Sequence, residues 1–121
     1  MGGERDLSLL LAALHPQLRE ERYSFAATQD ATLQEGDFAV VREDEGLTVI
    51  RPEPAGEWAR ISLGVNSSLD AVGLTAALSS RLAEAGISAN IVAALRHDHI
   101  FVPWERREEA LALLAEPTQP A

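Results

Sequence analysis

The chain contains no cysteine, which removes disulfides, thiolate nucleophiles and cysteine-ligated zinc together and fits a reducing compartment such as the cytoplasm. Positive charge is scarce as well. Ten basic residues stand against 19 acidic ones, a net charge of −9 at pH 7, so the overall field repels phosphate backbones and nucleic acid is not an expected partner. No apolar run is long enough to span a bilayer, and no membrane association is expected. No signal peptide is visible: Glu4, Arg5 and Asp6 precede a short apolar stretch that ends at His15 and Pro16.

Catalytic fingerprints are missing too. No serine stands in a G-x-S-x-G elbow, and Gly64, Gly73 and Gly86 lack the spacing of a dinucleotide or phosphate loop. His97, Asp98 and His99, with Glu105 nearby, suggest a metal cluster, but strand alternation puts the two histidines on one face and Asp98 on the other. Zinc needs three or four convergent ligands, so a solvated turn is the plainer reading. The carboxylates Asp30 and Glu35, and the run Glu43 to Glu45, fall in loops as solvated charge. The expectation is a protein that is not an enzyme and carries no metal and no cofactor.

What the chain does have is material for a core. Hydrophobic residues make up 46% of 121, enough for one compact domain or two small halves sharing a core. Leu7 to Leu14 reads as a helix capped by Asp6 and closed by Pro16; being apolar nearly all round, it calls for burial on more than one side. Tyr23 to Thr28 reads as a strand, and Gln29 to Gly36 as a loop. Phe38 to Arg42 and Leu47 to Arg51 are two β-rich runs joined by a turn that ends in Gly46, a hairpin. Pro52, Pro54 and Gly56 mark a break between residues 1–56 and 57–116, and residues 117–121 read as a flexible tail.

The second half carries the clearer signal. From Trp58, residues Ala59, Ile61, Leu63 and Val65 alternate with Trp58, Arg60 and Ser62, the period of a half-buried strand. A helix is expected from Asn66-Ser67-Ser68, with Ser67 or Ser68 as cap, Ser67 and Asp70 near a capping-box spacing, and Leu74, Leu78 and Leu82 on one stripe; Gly86 stops it. Ile87 to Leu95 reads as a strand, Arg96 to Asp98 as a turn, Ile100 to Val102 as a further strand ended by Pro103, and Glu105 to Leu114 as a closing helix. Trp58 and Trp104 stand at strand ends and are expected to cover a core edge. Periodicity alone gives an α+β chain of five or six strands and three helices, with β-α-β-β-α order in the second half, which is the order of a ferredoxin-like sandwich.

This series, with Gly73 in LDAVGLTAAL, the Ala85-Gly86-Ile87 turn, Asp98 in RHDHIFV and a closing A-L-x-L-L helix, resembles an ACT domain. The variety it is most similar to is the one shared by aspartate kinases, CASTOR-type amino-acid sensors and short bacterial stand-alone proteins. The resemblance implies a ferredoxin-like α+β fold in which a reduced ACT-like half (1–56) precedes a fuller ACT domain (57–116), with antiparallel sheets and strands open to exchange between the halves. It also implies a regulatory module that binds an amino acid or similar small ligand, forms a homodimer and acts on a partner enzyme.

ACT domains commonly hold their ligand between the loop before the first helix of one module and the strand after that helix in a neighbour. Mapped residue by residue, the resemblance places Asn66, Ser67, Ser68, Leu69, Val72 and Gly73 on one side, and Ile87, Ser88, Ile91 or Asp98 on the other. The chemistry fits such a ligand. Unpaired amides at a helix N-terminus favour a carboxylate, and Asp98 can accept from an ammonium group. Plain capping by the serines is the structural alternative, and a ligand-free dimerisation module with the same fold is the functional one.

Overall fold

A computed structural model describes residues 3–68 and 71–116. Leu69, Asp70 and the expected tail at 117–121 lie outside the described residues. The described elements run in the order α1 (Leu7–Ala12), β1 (Pro16–Thr28), β2 (Ala39–Glu43), β3 (Gly46–Pro52), β4 (Trp58–Leu63), α2 (Leu74–Glu84), β5 (Asn90–Ala93), β6 (Asp98–Pro103), a single 3-10 turn (Trp104–Arg106) and α3 (Arg107–Ala115).

All six strands join one sheet in the order β2-β3-β1-β4-β6-β5, and every neighbouring pair is antiparallel. Within it, β4 and β5 run the same way with β6 between them, the split β-α-β arrangement formed around α2. A ferredoxin-like unit needs one more strand beside β4, after α3. Here β1 fills that place, so the N-terminal half completes the sheet of the C-terminal half.

Alternation on the strands sorts side chains to two faces. Ala59, Ile61 and Leu63 of β4 and Ile100 and Val102 of β6 meet Leu10 and Leu14, Leu74, Leu78 and Leu82 of α2, Ile87, and Ala110 and Leu114 of α3, all buried in one cluster. Burying each large aliphatic side chain contributes about 1.5–3 kcal/mol. The opposite face gathers Tyr23, Ile50 and Phe101, with Phe38, Ala39, Trp58 and Val92 packed against them. Phe38, at the foot of the β2–β3 hairpin, packs edge-on against Phe101 with ring centroids 5.3 Å apart, so the hairpin covers part of the face the helices leave open.

Several sequence expectations hold. Asp6 caps α1, accepting from the Leu9 amide at 3.2 Å. The hairpin forms around Asp44 and Glu45. The end of α2 is a Schellman motif, with the Ile87 amide returning to the Leu82 carbonyl and the Gly86 amide to Ala83. Others are corrected. Helix α2 begins at Leu74, not at Asn66 to Ser68, and its cap position is Gly73 at φ 94°, without any side-chain cap bond. Neither Ser67 nor Ser68 is therefore its cap. The strand after the helix shrinks to Asn90–Ala93, because the apolar character of Ile87 and Ala89 belongs to the helix-side core. Helix α1 buries Leu10 but leaves Leu9 57% exposed, so it lies on the core rather than wedging into it. Strand β1 starts at Pro16, well before Tyr23, and an irregularity between Leu18 and Arg22 shifts its register against β4.

Candidate functional site

The loop after β4 is built on backbone pairing. The Glu4 amide donates to the Asn66 carbonyl and the Ser68 amide donates to the Glu4 carbonyl, both at 2.8 Å, a short parallel bridge between the N-terminal segment and Ser67. The Ala71 amide then donates back to the Ser68 carbonyl at 3.0 Å. That loop turns the chain over the start of β6 and delivers it to Gly73, whose positive φ no β-carbon-bearing residue adopts without strain.

Asp98 opens β6 on the same sheet face as Ile100 and is only 6% exposed. The Ser67 hydroxyl, itself buried, donates to its carboxylate. Burial pushes the Asp98 carboxyl above the usual carboxylate range, against the opposing effects of the Ser67 hydrogen bond and the nearby His97. The His97 ring is fixed in turn, with Nδ1 3.2 Å from the Val65 carbonyl oxygen.

Ser67, Ser68 and Asp98 line a recess of about 40 Å³ together with Ala71, Leu74, Thr75 and Ala93. Leu74 and Thr75 are the first residues of α2, where amides lack intrahelical partners and the helix dipole favours negative charge. The recess accommodates a water molecule or an ammonium group, not a whole amino acid.

Of the residues singled out from the sequence, the structure brings together Ser67, Ser68 and Asp98, with Gly73 setting the start of the adjoining helix. Asn66 is exposed and contributes its carbonyl to Glu4. Val72 is 82% exposed, Ser88 is exposed, and Ile87 is buried in the main core, which Ile91 also packs against. Leu69 lies outside the described residues. Thr75 and Ala93 were not singled out. Thr75 is signalled by its place two residues after a glycine that starts a helix, whereas Ala93 carries no local signal.

Comparison with known proteins agrees with this architecture. Two profiles, each described as an ACT domain, match residues 55–116 and 2–63. Both matches include β4, which lies between β1 and β6 in the sheet. A crystal structure of a Vibrio cholerae protein of unknown function, described as a possible transport protein, superposes with a TM-score of 0.76 at 38% identity, covering 93% of this chain and 96% of that one. The Agrobacterium tumefaciens protein Atu0741 superposes with a TM-score of 0.63 at 19% identity over 84% of this chain and 87% of its own, a likeness of fold alone. No curated protein matches the sequence.

Proposed function

This chain belongs to the ACT-domain family, whose members are regulatory modules, and on that premise we propose that it is an amino-acid-binding sensor whose ligand enters beside Asp98. The observation that carries the reading is the buried Asp98 carboxylate, held by Ser67 at the edge of a recess that the uncapped first turn of α2 also lines. Asp98 accepts from the ligand ammonium, which the recess is large enough to hold. The free amides of Leu74 and Thr75 receive its carboxylate. Its side chain projects out of the recess.

That outward projection calls for a second surface. Ala93 belongs both to the recess and to β5, the strand at one edge of the sheet. A second copy pairing along β5 closes the site over the ligand side chain, so binding and dimer geometry are coupled, and occupancy shifts the population of one packing that a partner enzyme reads. In this reading residues 1–56 are a reduced ACT-like half and residues 57–116 an ACT domain, joined where β1 pairs with β4. Among the described residues no helix is long and apolar enough to cross a membrane, and a chain without cysteine suits the cytoplasm.

A ligand-free interaction module is the second reading, and the small volume of the recess favours it. A thermal-shift screen against the free amino acids, followed by calorimetric titration, separates the two. A ligand at 100 times its Kd adds about 2.7 kcal/mol to stability. A sensor therefore melts several degrees higher with one amino acid, an effect lost in Asp98→Ala. A dimer that no amino acid stabilises at millimolar concentration overturns the sensor reading in favour of the interaction module.

A further inference from the structure

The sheet face turned away from the helices holds a second polar cluster, on the opposite side of the sheet from the Asp98 side chain. Ser62 on β4 stands directly across from His99 on β6 and is only 4% exposed. Its Oγ lies 3.3 Å from Nε of Arg19, 3.3 Å from Nε of Arg60 and 3.0 Å from Nδ1 of His99. Guanidinium groups only donate. The hydroxyl therefore accepts from both arginines and gives its own proton to His99, which must present an unprotonated Nδ1.

Such an arrangement collects cations without an anion. All ten basic residues of this acidic chain are arginines, and where others are paired the partner is plain: Arg51 with Asp37 at 3.0 Å and Arg106 with Glu109 at 2.8 Å. Among the described residues neither Arg19 nor Arg60 has a carboxylate partner, and Nη1 and Nη2 of Arg19 and Nη2 of Arg60 make no hydrogen bond. Arg60 is also preoriented. Its guanidinium lies 4.6 Å from the Phe38 ring centroid and 5.6 Å from that of Tyr23, and its Nη1 donates to the Tyr23 hydroxyl at 2.8 Å. Arg19, by contrast, is exposed and held only through its Nε at the Ser62 hydroxyl.

One guanidinium packed on aromatic rings and one exposed, converging on a buried hydroxyl, make the fork that recognises oxyanions. We infer that this face carries a binding site for a small oxyanion, of the carboxylate or phosphate class, clamped between Arg60 and Arg19 above Ser62. The neutral His99 ring fits that role: burial first, then the charges of Arg60, His97 and Arg19, hold its pKa down to about 4. A bound anion offsets the two arginines and raises it.

The test follows the His99 ring by NMR, assigned through His99→Gln, while the full chain is titrated with sulfate, whose charge is fixed at neutral pH, against chloride at matched ionic strength. The expected result is a saturable His99 shift with sulfate and not with chloride, with the His15 signal unmoved. Arg19→Gln, an exposed substitution that spares the fold, raises the saturation midpoint about tenfold, the loss of one charge-assisted hydrogen bond of about 1.4 kcal/mol. A parallel titration with succinate distinguishes the sources: the anion that saturates at lower concentration names the class. A linear drift common to sulfate, succinate and chloride, or saturation in Arg19→Gln identical to the parent, overturns the site. Asp98→Asn leaves the sulfate titration unchanged, so this inference and the amino-acid reading fail separately.

Discussion

The Ser67 hydroxyl donates to the Asp98 carboxylate, tying the loop after β4 to the first residue of β6. That bond only partly offsets the burial that raises the Asp98 pKa. A carboxyl whose folded pKa lies above its unfolded value favours folding below the unfolded value, and that advantage is lost as pH rises through the folded pKa. Ionising the buried Asp98 carboxyl is therefore a net cost to the fold. Asp98→Asn removes the charge and keeps an oxygen for Ser67, so the ligand-free protein should melt higher than the parent chain. The same variant should lose its response to amino acids, the trade between stability and function expected of a binding residue. A variant that melts lower, or still responds, would contradict this assignment.

Two glycines separate strain from collision. At Gly73, φ is 94° and an added β-carbon would lie 3.2 Å from Cδ2 of Leu7, the movable end of a side chain. Gly73→Ala should cost about 1–2 kcal/mol, the price of a left-handed residue. At Gly56 the same atom would lie 2.3 Å from the carbonyl oxygen of Tyr23 and 2.8 Å from its amide nitrogen. Backbone in the middle of β1 cannot yield, so Gly56→Ala should cost more than about 4 kcal/mol or abolish folding. Urea unfolding midpoints of the two variants check the order.

What the sequence made legible was local and periodic. Strand β4, the hairpin at Asp44 and Glu45, α3 and the Gly86 stop announced themselves because alternation, turn chemistry and a left-handed cap are written within a few residues. The start of α2 misled for a physical reason. Asn66-Ser67-Ser68 has the composition of a cap, but the Ser67 hydroxyl is engaged by Asp98, and the Glu4 carbonyl takes the Ser68 amide. Those are tertiary partners that no local pattern contains. The mapping by family resemblance also drew Val72 and Ile87 into the candidate site, where the structure leaves one in solvent and the other in the core. The first part of β1 was hidden because Gln17 to Arg22 is polar and crosses a register shift that breaks alternation. The meeting of Ser67 with Asp98 was legible only through family resemblance.

Phe101 should be the most sensitive position on the face without helices. It is fully buried and meets Tyr23, Phe25 and Phe38 edge-on at centroid distances of 5.5, 5.2 and 5.3 Å. Phe101→Ala should cost about 3–5 kcal/mol. Phe38→Ala, at a half-buried ring, should cost less, and the double variant should reveal a coupling of about 0.5–1.5 kcal/mol for an aromatic pair. Strict additivity would show that the hairpin does not hold this face closed.

The ring of His99 makes stability depend on mild acid. Its pKa is about 4 in the fold against an ordinary 6.5, so below 6.5 the unfolded chain binds a proton that the native protein refuses. Stability from this group is fully present above pH 6.5 and drains away as pH falls toward 4. One pKa unit corresponds to about 1.4 kcal/mol; partial solvation of the ring reduces the measured effect to an order of 1–2 kcal/mol. Over the same range Asp98 acts with the opposite sign, because protonation favours its folded form, so the histidine contribution has to be isolated by substitution. His99→Gln retains an oxygen to accept from Ser62 and does not titrate. Its urea midpoint should fall less between pH 7 and pH 4.5 than that of the parent chain. Equal losses in the two proteins would mean that burial and the charges of Arg60, His97 and Arg19 do not hold the imidazole neutral.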